Sequence, residues 1–126
     1  MTDHEILMLA HGMLEKAYAP YSEFPVGAAL ECEDGTVYTG CNIENAALGD
    51  TVCAERVAVF KAVSEGKRKF LRIAIVAESE RYCLPCGSCR QVLMEFSPDM
   101  EILSAKAGGS YVSYKLQDLL PFAFKL

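Results

Sequence analysis

The sequence predicts an α/β protein, a three-layer α-β-α sandwich in which helices cover both faces of a mixed sheet of about five strands. Two observations support this class. Segments with helical and strand periodicity alternate along the chain, and residues 71–77 are almost continuously apolar, as in a central strand covered on both faces. Because the chain has 126 residues and no repeat or linker, we expect a single domain over residues 1–126.

Each element is expected from its local pattern. Thr2 and Glu5 form a capping box at the start of the first helix, and apolar residues continue at helical spacing to Tyr18. Asp34-Gly35 predicts a tight hairpin turn, and Gly66 predicts the end of the second helix. The expected order is a helix from residue 2, strands 26–33 and 37–43, a helix 51–65, a strand 71–77, a helix from about residue 86, strands 102–103 and 111–114, and a short helix 117–120.

Net charge and hydropathy argue against two classes of partner. The net charge is −5 and no apolar run approaches the ~18 residues of a membrane span, so we expect neither a nucleic-acid partner nor a membrane partner. The N-terminus, MTDHE, lacks the basic and apolar regions of a signal peptide, which favours a cytoplasmic location. In that compartment the six cysteines are expected to be free, metal-bound or redox-active rather than paired in structural disulfides.

Three of the cysteines lie at the expected starts of two helices. Cys86 and Cys89 form a C-x-x-C motif, and Cys53 stands at the start of another helix. Helix N-termini favour thiolates through their free N–H groups and their dipole. Three thiolates suit a zinc ion, and three protein ligands leave a fourth position open for water, as in catalytic zinc sites. We therefore expect one zinc ion per chain as the cofactor.

Charged residues next to these cysteines suggest catalysis. Glu55 lies two residues after Cys53, near the metal but not needed as a ligand, where a carboxylate can transfer protons as general acid and base. Arg56 and Arg90 stand beside ligands, and we expect them to donate hydrogen bonds to the sulfurs and offset the negative charge of the thiolates.

Other readings of the cysteines are possible. A redox C-x-x-C pair would leave the sequence from Cys53 to Glu55 unexplained. A closed structural zinc would need a fourth ligand, for which Cys83 is the candidate. The spacing of Cys83, Cys86 and Cys89 also occurs in iron–sulfur proteins, but the downstream C-P of a ferredoxin-type cluster is missing. We expect Cys83 to be a bystander.

The motifs together resemble a known family. C-A-E at 53–55 and P-C-G-S-C at 85–89 match the zinc deaminase signature, with cysteine in place of histidine as the first ligand. The stretches AYAPYSEFPVGAAL, GCNIENAA, CAER, PCGSCRQV and LLPFAF also occur in family order between about residues 17 and 124. On these motifs the chain resembles the small, homotetrameric cytidine deaminases.

The resemblance implies a cytidine deaminase-like fold, a nucleoside substrate and a role in pyrimidine salvage. The implied reaction is hydrolysis of cytidine or 2′-deoxycytidine to the corresponding uridine and ammonia. By position, Glu55 is the general acid and base, and the zinc ligands are Cys53, Cys86 and Cys89. The implied substrate-binding residues are Asn42 and Glu44 at the ribose hydroxyls, and Phe24 and the backbone of Ala54 at the base. Phe124 is implied to be supplied by a neighbouring subunit of a homo-oligomer, expected to be a tetramer.

Two features differ from the family pattern. Leu48 stands where the family usually has tyrosine, and the chain ends at Leu126, just past Phe124, where relatives often carry a longer tail. A modified cytosine nucleoside of the blasticidin type is therefore an alternative substrate. A non-catalytic zinc-binding or regulatory protein on the same fold is an alternative class, but such a protein would have no need for Glu55.

Overall fold

The computed structural model describes all residues from Met1 to Leu126. The helices and strands are, in chain order, α1 (Asp3–His11), β1 (Val26–Cys32), β2 (Val37–Cys41), α2 (Ala54–Ser64), β3 (Phe70–Ala77), α3 (Gly87–Phe96), β4 (Glu101–Ala105), β5 (Tyr111–Lys115) and α4 (Leu116–Leu119). Two short 3-10 turns, Leu14–Lys16 and Leu48–Asp50, lie between them. None of these helices has the length and apolar character needed to cross a membrane.

The strands form one mixed five-stranded sheet in the order β2-β1-β3-β4-β5. Only β3 and β4 are parallel, and α3 lies between them in the chain, as a parallel connection requires. The other neighbouring pairs are antiparallel. The predicted mixed sheet is confirmed.

Two apolar clusters lie on opposite faces of the sheet. Alternate residues of the central strands point to opposite sides, so Leu30 and Ile73 join the cluster that also contains buried residues of α2, α3 and α4, whereas Ala29 and Ala74 join the cluster under α1. The first cluster has 17 buried residues and the second has 8, so the α2/α3 side carries most of the core. The predicted three-layer arrangement is confirmed.

A glycine on β2 allows α2 to lie close to the sheet. A Cβ atom at Gly40 would stand 2.3 Å from the carbonyl oxygen of Ala54 and 2.7 Å from the amide nitrogen of Ala58. Any side chain here would push against the backbone of the first turns of α2. Gly40 therefore sets the position of the helix start that carries Cys53.

The first helix is shorter than the spacing of apolar residues predicts. It ends at His11, and the amide of Gly12 bonds to the carbonyl oxygens of Met8 and Ala10. At Ala17 the backbone has already changed to an extended conformation. The amide of Tyr18 then donates to the carbonyl oxygen of Asn42 at 3.0 Å. The prediction of helix as far as Tyr18 is wrong because this pairing with a distant segment replaces the helical hydrogen bonds.

Candidate active site

The thiols of Cys53, Cys86 and Cys89 meet where α2 and α3 begin. Cys53 caps α2, Cys86 caps α3, and Cys89 lies in the first turn of α3. The Sγ atoms of Cys53 and Cys86 are 3.9 Å apart, those of Cys86 and Cys89 are 3.4 Å apart, and all three lie within 4.8 Å of one another. The structure thus brings together three residues from segments separated by more than 30 positions.

This donor set fits a zinc ion. With Zn–S bonds of about 2.3 Å, the sulfurs of a tetrahedral site are roughly 3.8 Å apart, close to the separations found here. A second observation concerns Cys83, the rival ligand. Cys83 lies outside the cluster, and burial raises the pKa of its thiol to about 11, which disfavours the thiolate that a metal requires. The site therefore offers three sulfur ligands and leaves a fourth position for water.

The thiols of the cluster differ in pKa because they interact with one another. Interaction with the nearby Cys89 thiol is the main cause that lowers the pKa of Cys53 to about 5, and interactions with Arg56 and Cys86 lower it further. The same interaction, together with burial, raises the pKa of Cys89. Cys53 thus carries negative charge more readily than Cys89 does.

The two arginines beside the cysteines make different contacts. Arg56 donates from Nη2 to Cys53 Sγ at 3.4 Å, and its Nε is buried without a hydrogen-bond partner. Arg90 was expected to donate to a ligand sulfur. Its guanidinium instead donates to the carbonyl oxygens of Pro85 and Leu119, both at 2.7 Å. The link from Arg90 to the cysteines therefore passes through the backbone before Cys86.

Glu55 is a buried carboxyl group close to Cys53 and Cys89. It lies in the first turn of α2 and is only 4% exposed. Burial is the main cause that raises its pKa to about 7, and the negative charge of Cys53 adds to the effect. A carboxyl group that gains and loses a proton near neutral pH is suited to general acid–base catalysis.

The residues expected to contact the sugar are already held by backbone groups. Asn42 accepts from the amide of Val26 through Oδ1 and donates to the carbonyl oxygen of Phe24 through Nδ2, both at 2.9 Å. Oε1 of Glu44 accepts from the amides of Tyr21 and Ser22. Both side chains therefore fix the loop before β1.

The residues expected around the base and across subunits differ in exposure. Ala54 is fully buried in the first turn of α2, whereas Phe24 is 41% exposed. Leu48 and Phe124 are 71% and 67% exposed, although both are large and apolar. Exposed apolar side chains mark a contact with another subunit when they form a contiguous patch.

Sequence reasoning missed the part played by Ser22. Its hydroxyl donates to Oε2 of Glu44 and accepts from the amide of Phe24 at 3.1 Å. The bond from the Ser22 hydroxyl is the main cause that lowers the pKa of Glu44, and the bond from the Phe24 amide joins this pair to the loop that carries Phe24. The local signal was a serine two residues before Phe24, which predicts a serine turn but not the partner 22 positions away.

Comparison with known proteins identifies relatives along most of the chain. The family model for the cytidine and deoxycytidylate deaminase zinc-binding region matches residues 1–104. A cytidine deaminase from Sporosarcina psychrophila is 53% identical over 111 residues, covering 87% of this chain and 82% of that protein. A blasticidin-S deaminase from Bacillus cereus is 32% identical over 107 residues, covering 79% of this chain and 76% of that protein.

Solved structures agree with the fold. The crystal structure of a cytidine deaminase from Burkholderia pseudomallei matches with a TM-score of 0.95 at 46% identity, covering 98% of this chain and 100% of that chain. This match confirms the expected cytidine deaminase-like fold. The region matched by the family model also contains the whole cysteine cluster. The chain carries a zinc-binding deaminase domain and belongs to the cytidine and deoxycytidylate deaminase family.

Proposed function

We propose that this protein is a zinc-dependent hydrolase that converts cytidine or 2′-deoxycytidine to the corresponding uridine and ammonia. The observation that carries the proposal is Glu55, a carboxyl group with a pKa of about 7, placed two residues after one of three clustered cysteines. The relative from Sporosarcina psychrophila and the solved structure from Burkholderia pseudomallei, both named cytidine deaminases, support the choice of substrate.

The chain's own residues divide the chemistry between them. Cys53, Cys86 and Cys89 would hold the zinc ion, which when bound brings the pKa of water close to neutrality. Glu55 takes one proton from the attacking water and delivers it to N3 of the base. It then takes the remaining proton of the added hydroxyl and gives it to the departing amine, so that ammonia leaves and the carbonyl of the uridine forms. Arg56 offsets the negative charge of the thiolates through its hydrogen bond to Cys53.

The sugar-binding role of Asn42 and Glu44 is consistent with the contacts left open to them. An amide nitrogen can donate two hydrogen bonds, and Asn42 uses one of them within the chain. Oε2 of Glu44 accepts from Ser22 and retains capacity for a further donor, such as a ribose hydroxyl. Phe24 would line the base pocket, and the backbone of Ala54 would contact the base.

The assembly is proposed to be a homotetramer of single-domain chains in which Phe124 completes a neighbour's pocket. The exposure of Phe24, Leu48 and Phe124 supports this arrangement, because these apolar side chains would be covered by a neighbouring subunit. A cytoplasmic role in pyrimidine salvage follows from the proposed substrate. We propose no nucleic-acid or membrane partner, in line with the net charge of −5.

The test is loss of cytidine absorbance when zinc-loaded protein is added. We expect turnover of cytidine and 2′-deoxycytidine, and no turnover after removal of zinc with a chelator. Zinc binding without turnover of any cytosine nucleoside would favour a regulatory protein. Turnover of a blasticidin-type nucleoside in preference to cytidine would favour the alternative substrate, which was suggested by leucine at position 48 in place of the usual tyrosine.

A further inference from the structure

Arg90 follows the cluster residue Cys89 and joins two parts of the chain that are distant in sequence. Its Nε donates to the carbonyl oxygen of Pro85 and its Nη1 to the carbonyl oxygen of Leu119, both at 2.7 Å. Both acceptors belong to the main chain, so neither bond depends on a mobile partner side chain. A guanidinium is planar and its donors have fixed directions, so it holds the two carbonyl groups in a set relationship.

One end of this link holds the peptide group that precedes Cys86. The carbonyl group of Pro85 belongs to the peptide that leads into Cys86, and the side chain of Pro85 is fully buried. Any rotation of that peptide would move the sulfur of Cys86, which lies 3.4 Å from that of Cys89. The bond from Arg90 therefore restrains the geometry of the cluster.

The other end holds the C-terminal segment, residues 119–124. Leu119 is the last residue of α4, and a cation near the end of a helix compensates carbonyl groups that have no partner within it. The neighbouring residue Gln91 donates from Nε2 to the carbonyl oxygen of Phe124 at 3.1 Å. Two consecutive residues of α3 thus hold this segment by its backbone, while the ring of Phe124 stays exposed.

We propose that Arg90 and Gln91 are positioning residues that couple the cysteine cluster of one subunit to the C-terminal segment it presents to a neighbour. The neighbour's use of Phe124 rests on the proposed function. A shift of the peptide before Cys86 is passed through the guanidinium to Leu119. By linkage, a change in the segment must in turn affect zinc binding.

The test measures zinc release to a chelator and hydrogen exchange of residues 119–124 in the full-length, zinc-loaded protein. Arg90→Lys keeps the charge but cannot hold both carbonyl groups in the same fixed geometry. We expect it to release zinc about 10-fold faster or more, as is usual when the support of a metal ligand is lost, and to exchange faster in the segment. A purely structural role would lower thermal stability without changing zinc release.

Two matched variants locate the effect. Gln91→Ala removes only the bond to Phe124 and keeps the bond from Arg90 to Pro85, so it should speed exchange in the segment and raise the rate of zinc release by a smaller factor than Arg90→Lys does. Arg81 is an exposed arginine in the loop before α3, and its side chain makes no hydrogen bond. Arg81→Lys should therefore alter neither zinc release nor hydrogen exchange. If Arg90→Lys released zinc at the same rate as the wild-type protein, the proposal would be overturned.

A comparison within the wild-type protein avoids dependence on the folding of variants. Removal of zinc should speed exchange of residues 119–124, and identical exchange in the two forms would overturn the coupling. Neither readout needs turnover. A protein that shows the coupling but does not deaminate would contradict the proposed function alone, whereas an active enzyme without the coupling would contradict this inference alone.

Discussion

Gly40 of β2 lies against Ala54 of α2 so closely that a Cβ atom on the glycine would stand 2.3 Å from the alanine carbonyl oxygen. The obstructing atom belongs to the backbone, so a side chain at Gly40 can be accommodated only by moving the start of α2. That helix start carries Cys53 and Glu55. The packing of a small residue on the sheet is therefore linked to the geometry of the active site.

Gly40→Ala is expected to lower both stability and activity. Overpacking a core typically costs about 1–3 kcal/mol of unfolding free energy. The displacement of α2 should also weaken zinc binding. Urea unfolding and metal analysis would measure the two effects. Gly49→Ala is the matched control, because a Cβ atom there meets nothing within 4 Å. Equal behaviour of the two variants would contradict this account of Gly40.

Glu55→Gln is expected to lose nearly all activity while it keeps its fold and zinc. A positioned acid–base group typically contributes about 10² to 10⁴ in rate, and Glu55 would serve several proton transfers, so the loss should reach the upper end of that range. Steady-state kinetics and metal analysis of the same sample would check both points. A variant that retains more than about a tenth of wild-type activity would exclude Glu55 as the proton carrier.

The raised pKa of Glu55 also predicts how stability depends on pH in metal-free protein. The folded state binds its proton more tightly than the unfolded state, so the stabilisation is complete below the unfolded pKa of 4.5 and is lost as pH rises through about 7. The difference corresponds to roughly 3 kcal/mol. Glu55→Gln cannot titrate, so its unfolding free energy should lack this decrease between those pH values. Urea unfolding of the metal-free wild-type protein and the metal-free Glu55→Gln variant, measured between pH 4.5 and about 7, would show whether only the wild type loses stability as pH rises.

Substitution of single cysteines should separate the zinc ligands from Cys83. Cys86→Ser removes one of the clustered thiols and should lose zinc, whereas Cys83→Ser should retain it, because Cys83 lies outside the cluster. Metal analysis after gel filtration would measure the content. If Cys83→Ser lost its zinc and Cys53→Ser kept it, the site would be a structural one and the enzyme proposal would fail.

Local sequence patterns predicted those parts of the fold that depend on neighbouring residues. The capping box of Thr2 and Glu5 is present, and Gly35 adopts a φ of 89° in the hairpin turn, a conformation that favours glycine. The strand at 71–77 was found within Phe70–Ala77 because burial on both faces leaves a continuous apolar run. Each of these signals lies within a few positions of the structure it specifies.

The contacts that escaped prediction join residues far apart in the sequence. Arg90 was expected to face a sulfur, but its partner Leu119 lies 29 positions away and no local pattern identifies it. The hydrogen bonds that Asn42 donates to Phe24 and accepts from Val26 likewise depend on how β1 and β2 pair. The cysteine cluster was predictable because its motif is specific, whereas the contacts that support it follow from tertiary packing.

Leu48 lies in the 3-10 turn Leu48–Asp50 and is 71% exposed, so a larger side chain fits there without disturbing the chain. By family resemblance, a tyrosine at this position would offer its hydroxyl to the sugar of a nucleoside bound to an adjacent subunit. A net hydrogen bond contributes about 0.5 to 1.5 kcal/mol, so Leu48→Tyr should lower KM for cytidine by roughly 2- to 12-fold.

The value of kcat should change little in Leu48→Tyr, because the bond broken in deamination lies on the base, away from the sugar. The added ring should also reduce any activity on sugar-modified cytosine nucleosides, for which leucine leaves more room. Steady-state kinetics on cytidine, 2′-deoxycytidine and one bulky analogue would test the prediction, with Leu48→Phe as the control that adds the ring without the hydroxyl. A higher KM for cytidine in Leu48→Tyr would mean that leucine suits the native pocket and that the natural substrate is a modified nucleoside.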